Sequence, residues 1–240
     1  MFPVIAERIE MVREKMEKAA QRSGRKPGEI QLMGVSKFHG AEKVGEAVKA
    51  GLLLFGESRV QEAVKKYPLL KENYPEITLH LIGNLQRNKV KNINEVFDGI
   101  QSLDRDELVS ALGDAAAESA KGDKTLTVLL EMHTGEESKS GYPDEDTLSR
   151  AAELVLSFPS LKLSGLMTMA PFYPQIGITE ERDIRRSFKK LADARDRLVQ
   201  RFSQSGFSCL SMGMSNDFEL AIEEGSTLVR IGTAIFGDQQ

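Results

Sequence analysis

At 240 residues, with 32 basic and 36 acidic side chains and a net charge of −4, the chain is long enough for one sizeable core and carries no field that would gather nucleic acid or an anionic membrane. No run reaches the roughly 20 apolar residues of a spanning helix, and the N-terminus mixes Glu7, Arg8 and Glu10 into its apolar pattern, so a cytoplasmic protein is expected. The one cysteine, Cys209, excludes an internal disulfide, fits a reducing compartment, and has the apolar neighbours Phe207 and Leu210 of a buried, inert thiol.

Ile5, Ile9, Val12 and Met16 fall on one face of a helix predicted to open after Pro3 and close near Gly24. Strand-like runs then recur at Ile30–Ser36, Leu52–Gly56, Ile77–Gly83, Phe97–Ser102, Leu126–Met132, Leu161–Met167, Phe207–Met212 and Thr227–Ile231. Helical patterns fill the intervals, among them Ala41–Ala50, Asp104–Ala120, Asp144–Phe158 and Glu180–Gln204. Eight strands alternating with helices imply parallel pairing through right-handed crossovers, and eight is the number that closes a barrel. The predicted architecture is a single (β/α)8 TIM barrel over residues 1–240 with an extra N-terminal helix. No linker, low-complexity stretch or fixed-period repeat interrupts it.

In such barrels chemistry gathers at the C-terminal ends of the strands. Lys37 ends the first predicted strand after Leu32, Met33 and Val35, a cation at the rim of an apolar run. It is either snorkelling to water or held for chemistry, and desolvation there would favour a neutral, nucleophilic amine. Arg230 ends the eighth strand, the neighbour of the first around the ring. The runs Met212-Gly213-Met214-Ser215-Asn216 and Ile231-Gly232-Thr233 break strands seven and eight into glycine and hydroxyl residues, where barrels of this kind often bind phosphate. Two plainer readings stand beside these. Ser215 or Asn216 with Glu219 equally fits a helix capping box, and Arg230 equally fits a structural ion pair.

Other candidates are weaker. His39, His80 and His133 lie far apart in sequence, and with one cysteine they offer no metal-ligand spacing; His80 reads as a hydrogen-bonded barrel residue. Glu131 at the end of strand five is a base or a structural partner, and Arg87, Lys89 and Lys91 read as a solvated helix face.

The set Val35-Ser36-Lys37, Phe55-Gly56-Glu57, Val60-Gln61-Glu62, His80-Leu81-Ile82-Gly83, Leu85-Gln86 with Asn88-Lys89, Ser138-Lys139-Ser140-Gly141, Gly165-Leu166-Met167, Ser211-Met212-Gly213-Met214-Ser215, and Val229-Arg230-Ile231-Gly232-Thr233 through Ile235-Phe236-Gly237 resembles the pyridoxal phosphate homeostasis protein family, over nearly the full chain. Its fold is that of the alanine racemase N-terminal domain, the fold type III class of pyridoxal phosphate proteins. The resemblance implies that Lys37 carries pyridoxal 5'-phosphate as a Schiff base, that Met214, Ser215, Gly232 and Thr233 line its phosphate end, and that Arg230 meets the pyridine nitrogen. It makes Lys139 a secondary lysine near the mouth. At two positions the chain departs from the family pattern: Ser58 stands where many members carry Asn after Phe-Gly-Glu, and is expected to meet the cofactor through water or not at all, and His39 stands where many carry a second lysine.

An arginine partner weakens the ring as an electron sink, and the racemases of this fold take a second base, a tyrosine, from a further C-terminal domain. Here the chain ends ten residues after Arg230, and Tyr67, Tyr74, Tyr142 and Tyr173 all precede the seventh strand. The expected function is a monomeric, non-catalytic carrier and buffer of pyridoxal phosphate in vitamin B6 homeostasis, with apo-enzymes of that cofactor as its partners. A racemase-like enzyme with a minimal site is the alternative, and a partner-docking barrel with a vestigial phosphate site is a third reading.

Overall fold

The structure, a computed structural model, describes residues 4–118, 125–135, 140–202 and 206–238. Strands β1 (Gln31–Val35), β2 (Leu54–Glu57), β3 (Thr78–Leu81), β4 (Gly99–Leu103), β5 (Leu126–Glu131), β6 (Leu161–Met167), β7 (Cys209–Ser211) and β8 (Leu228–Ile231) pair in chain order, all parallel, and β1 closes on β8. Helices α1 (Ile5–Arg22), α2 (Ala41–Lys49), α3 (Val60–Asn73), α4 (Ile93–Val96), α5 (Asp106–Glu118), α6 (Glu145–Leu156), α7 (Ile178–Phe202), α8 (Phe218–Glu223) and α9 (Thr233–Phe236) occupy the intervals. The result is a (β/α)8 TIM barrel preceded by one additional helix.

Strand alternation divides the molecule into two layers. Phe55, Leu79, Leu81, Ile100, Val128, Leu130, Leu166, Leu210, Val229 and Ile231 join helix residues such as Val44, Tyr67, Leu112 and Phe188 in one hydrophobic core between sheet and helices. Strand residues of the other parity face the barrel axis. Met33, Leu129, Met167 and Leu228 are buried there without belonging to that core. The interior is fitted by size. A Cβ at Gly56 would stand 2.8 Å from Met33 Sδ, and one at Gly99 would stand 2.8 Å from His80 Nε2, so small residues on one strand make room for large ones on the next.

Several predicted boundaries move for local reasons. The second strand begins at Leu54 and not at Leu52, because Leu52 N donates to Ala47 O in the turn that ends α2, where Gly51 takes φ +77°. The segment around Arg87–Asn92 forms a 3-10 turn leading into α4, so the basic residues Arg87, Lys89 and Lys91 lie on a tight turn and not on an α-helix. The sixth helix starts one residue later than predicted, since Asp144 is its N-cap and accepts from Thr147 N at 2.8 Å. The predicted capping box at Ser215 or Asn216 is not formed. Asp217 is the N-cap of α8, its carboxylate accepts from Met214 N at 2.6 Å, and Glu219 pairs with Arg22 of α1 at 2.9 Å.

Among the described glycines the tightest site is Gly165, where a Cβ would stand 1.9 Å from the backbone oxygen of Cys209 on β7. At Gly34 a Cβ would meet the end of the Leu52 side chain at 2.7 Å, which can swing away. Gly165→Ala is therefore expected to lose about 2–3 kcal/mol or more through forced strand separation, and Gly34→Ala clearly less. Urea unfolding of the two variants against the parent checks the difference.

Candidate functional site

The β-ladder brings both ends of the chain to one mouth. Arg230 pairs in register with Met33, and Gly232 lies against Val35, where a Cβ would stand 3.4 Å from Val35 O. Two residues beyond Val35 comes Lys37. The loops bearing Met214 and Ser215 after β7, Gly232 and Thr233 after β8, and Ser58 after β2 open at the same end of the barrel. The Ser58 backbone packs so closely on Gly83 that a Cβ there would stand 2.3 Å from Ser58 O.

Alternation sets the environment of Lys37. Ser36 faces the helix layer: its hydroxyl is 2.7 Å from Glu57 Oε1 and 2.7 Å from Tyr67 Oη. The carboxylate only accepts, so Ser36 donates to it and Tyr67, kept protonated by burial, donates to Ser36. Lys66 of α3 reaches the same carboxylate at 2.5 Å and donates to Ser36 O and His39 O, both at 2.9 Å. These two carbonyls bracket the Lys37–Phe38 turn, which is closed by His39 N donating to Ser36 O at 3.1 Å. Phe38 adopts φ +66°, a left-handed conformation that a bulky side chain takes only when its surroundings impose it. Arg59 covers its ring at 5.0 Å, and the imidazole of His39 stacks on Phe236 at 5.3 Å. Burial and the neighbouring Lys43 hold His39 below the usual histidine range.

Lys37 itself is exposed and makes no hydrogen bond or ion pair among the described residues. The chain thus presents a free amine on a braced turn and does not supply the desolvation expected for it.

Arg230 is 4% exposed, and its guanidinium donates through Nη1 to Ser211 O and Ser211 Oγ, both at 2.7 Å, and through Nη2 to Thr168 O at 2.9 Å. Nε makes no hydrogen bond among the described residues. No carboxylate among them pairs with this cation, so the structural ion pair is not formed; desolvation lowers its pKa, against the charges of Asp217 and Glu131. The Ser211 hydroxyl continues to Gln101 Oε1 at 2.6 Å, and Gln101 Nε2 reaches His80 Nδ1 at 3.0 Å. Desolvation pushes the His80 imidazole down to about 4.

At the two loops after β7 and β8, donors stand without acceptors. The backbone N–H groups of Ser215, Asn216, Thr233 and Ala234, and the hydroxyls of Ser215 and Thr233, make no hydrogen bond among the described residues. Glu131 accepts from Ser140 Oγ at 2.9 Å and is raised by burial, as a structural partner would be. Among the described residues no cluster of His, Cys, Asp and Glu is arranged to hold a metal ion. Cys209 is raised to about 11, chiefly by burial, in keeping with an inert thiol. The predicted secondary lysine, Lys139, lies outside the described residues.

Known proteins match the chain over the whole barrel. The sequence matches the alanine racemase N-terminal domain family over residues 9–240. It is 40% identical over 234 residues to the pyridoxal phosphate homeostasis protein of Aquifex aeolicus, covering 98% of each chain. The chain belongs to the pyridoxal phosphate homeostasis protein family. Among solved structures, PipY of Synechococcus elongatus, with PLP bound, superposes with a TM-score of 0.79 at 34% identity, covering 97% of this chain and all of that one. Alanine racemase of E. faecalis gives a TM-score of 0.70 at 18% identity, covering 95% of this chain and 57% of that one, a likeness of fold alone.

In this family member the buried braces Glu57, Lys66, Tyr67, Thr168 and Gln101 are not legible in the sequence as site residues. Gln101 carries one usable signal, a polar side chain inside a predicted strand. Removing the Lys66 ammonium leaves the fully buried Glu57 unpaired and frees the two carbonyls of the Lys37 turn. Lys66→Met is expected to cost about 3–5 kcal/mol, with Lys66→Met/Glu57→Gln recovering a good part of it. Denaturant unfolding of the single and double variants measures this directly.

Proposed function

We propose that this chain is a carrier and buffer of pyridoxal 5'-phosphate, holding the cofactor on Lys37 as a cytoplasmic monomer and releasing it to apo-enzymes without turnover of its own. The observation that carries the reading is a buried guanidinium without a carboxylate partner, Arg230, on the strand next to the one that leads into the exposed, unpaired amine of Lys37. The donor set suits the group. It needs an amine for its aldehyde, donors for a dianionic phosphate and a partner for its ring nitrogen.

When bound, the cofactor supplies an aldehyde that condenses with an amine and an aromatic ring that can accept electrons. The surrounding side chains decide how far that chemistry runs. Lys37, on its braced turn, offers the amine. Ser215 and Thr233, with the N–H groups around Met214 and Gly232, offer hydrogen bonds to phosphate oxygens. Arg230 keeps its proton, so a ring nitrogen that met this guanidinium would stay unprotonated and electron withdrawal would be weak. A racemase reading needs one tyrosine hydroxyl at the mouth, and two of the chain's four are engaged elsewhere, Tyr67 with Ser36 and Tyr142 with Asp106. Ser58 follows β2 at the same mouth, its hydroxyl makes no hydrogen bond among the described residues, and it would meet the cofactor through water or not at all.

Borohydride reduction of the loaded protein followed by peptide mass spectrometry is expected to find the pyridoxyl group on the peptide containing Lys37; an adduct confined to another lysine overturns the assignment. In the same preparation, Cα exchange of L-alanine in deuterated water is expected to stay at the rate of free pyridoxal phosphate. Exchange well above that rate, lost in Lys37→Ala, establishes a racemase-like enzyme instead.

The phosphate assignment is tested by ligand comparison. Each hydrogen bond to a charged oxygen contributes on the order of 1.5–3 kcal/mol, so Ser215→Ala and Thr233→Val are each expected to weaken pyridoxal phosphate binding about tenfold or more. Unphosphorylated pyridoxal should be nearly unaffected. Equal losses for the two ligands place these hydroxyls elsewhere.

A further inference from the structure

The polar chain under Arg230 has a fixed sense. Arg230 only donates, so Ser211 Oγ accepts from Nη1 at 2.7 Å and its own proton is free for Gln101 Oε1 at 2.6 Å. That places the Gln101 amide nitrogen toward His80, where it can only donate, so Nδ1 of His80 accepts at 3.0 Å. The imidazole is then neutral with its proton on Nε2, the nitrogen that lies over Gly99, where a Cβ would stand 2.8 Å away. Gln101 and Ser211 are fully buried, and the four residues come from β8, β7, β4 and β3, crossing the barrel. Reversing the amide would set a donor against the Ser211 proton and an acceptor against a bare nitrogen, so the chain has one stable direction.

We propose that Gln101 and His80 are positioning residues for Arg230, fixing its guanidinium through the Ser211 hydroxyl in the arrangement that leaves Nε unengaged. The inference rests on the reading that Arg230 meets the ring of pyridoxal phosphate. Neither Gln101 nor His80 touches the ligand on this view. They act by denying Ser211 and Arg230 any alternative pairing.

The test has a cofactor-free arm and a loaded arm. In 15N-labelled protein without cofactor, His80 is expected to show an unprotonated Nδ1 and a protonated Nε2, and Arg230 a single slowly exchanging Nε–H signal. Gln101→Leu should mix the His80 tautomers and shift or broaden the Arg230 signal. An unchanged Arg230 Nε–H in folded Gln101→Leu overturns the proposal whether or not pyridoxal phosphate binds, whereas a parent protein that forms no lysine adduct overturns the carrier reading alone.

In the loaded arm, Gln101→Leu is expected to weaken pyridoxal phosphate about tenfold and to displace the visible absorption band. Inorganic phosphate should bind as in the parent, which a general loss of structure would not allow. Gln101→Glu restores the acceptor for Ser211 but sets an acceptor against His80, so it should recover only part of the affinity and move the His80 proton to Nδ1. Where Gln101→Leu does not fold, Ser211→Ala breaks the same link and should give the same spectral change. Parent-like affinity and spectrum in either folded variant overturn the proposal.

Discussion

A guanidinium buried in the barrel without a carboxylate partner is the constraint on which the rest of the structure depends. Such a cation is tolerated only where its donors find partners, and Arg230 engages Nη1 with the carbonyl and hydroxyl of Ser211 and Nη2 with the carbonyl of Thr168, which leaves Nε to the mouth. Those partners lie where the sheet is thinnest. β7 has three residues and pairs in register with β8 at Ser211–Leu228, backbone bonds run beside it from Thr227 N to Leu210 O, Met212 N to Leu228 O and Arg230 N to Gly213 O, and the side chain of Arg230 adds its own bonds to Ser211 and Thr168. Charge and barrel closure are therefore one arrangement: the strand ends of β6, β7 and β8 are tied together by the residue proposed to meet the cofactor.

The second dependence runs through β1, where consecutive residues serve opposite layers. Ser36 looks outward to Glu57, Lys66 and Tyr67, and Lys37 comes next on the mouth side. A one-residue slip of β1 would exchange the two faces, so the register with β8, fixed at four positions from Gln31 to Gly34, also fixes which residue is presented. Lys66 makes the turn rigid by holding the carbonyls on both sides of Lys37. The left-handed Phe38 marks the strain that this bracing sustains.

Legibility in the sequence depends on which information is local. Lys37, Arg230, Gly232 and Thr233 stand at the ends of strands whose apolar runs are plain, so their convergence at one mouth can be deduced from the count of strands and the rule for parallel barrels. The start of β2 departs from its apolar run because Gly51 caps α2 and draws Leu52 into its turn, a choice made by backbone hydrogen bonds that apolar periodicity does not report. The capping box at Ser215 fails for a tertiary reason: Glu219, which it needs, is taken by Arg22 from the other end of the chain. Lys66 sits next to another lysine on an amphipathic helix and looks like any solvated side chain until α3 is laid against β1 and β2.

Exposure of Lys37 bears on what kind of protein this arrangement serves. A turnover enzyme gains from a closed, dry site, because water exclusion strengthens the electrostatic stabilisation of its transition state. A carrier has a different requirement, since its bound group must be both held and surrendered. The braces of this molecule lie in its buried layers, under Lys37 and around Arg230, while the amine itself stands in solvent with no partner among the described residues. On the proposed reading, rigid support beneath an open, reactive end would hold a cofactor in a defined place without committing it to further chemistry, and a guanidinium in place of an acid at the ring nitrogen would act in the same direction by leaving electron withdrawal weak.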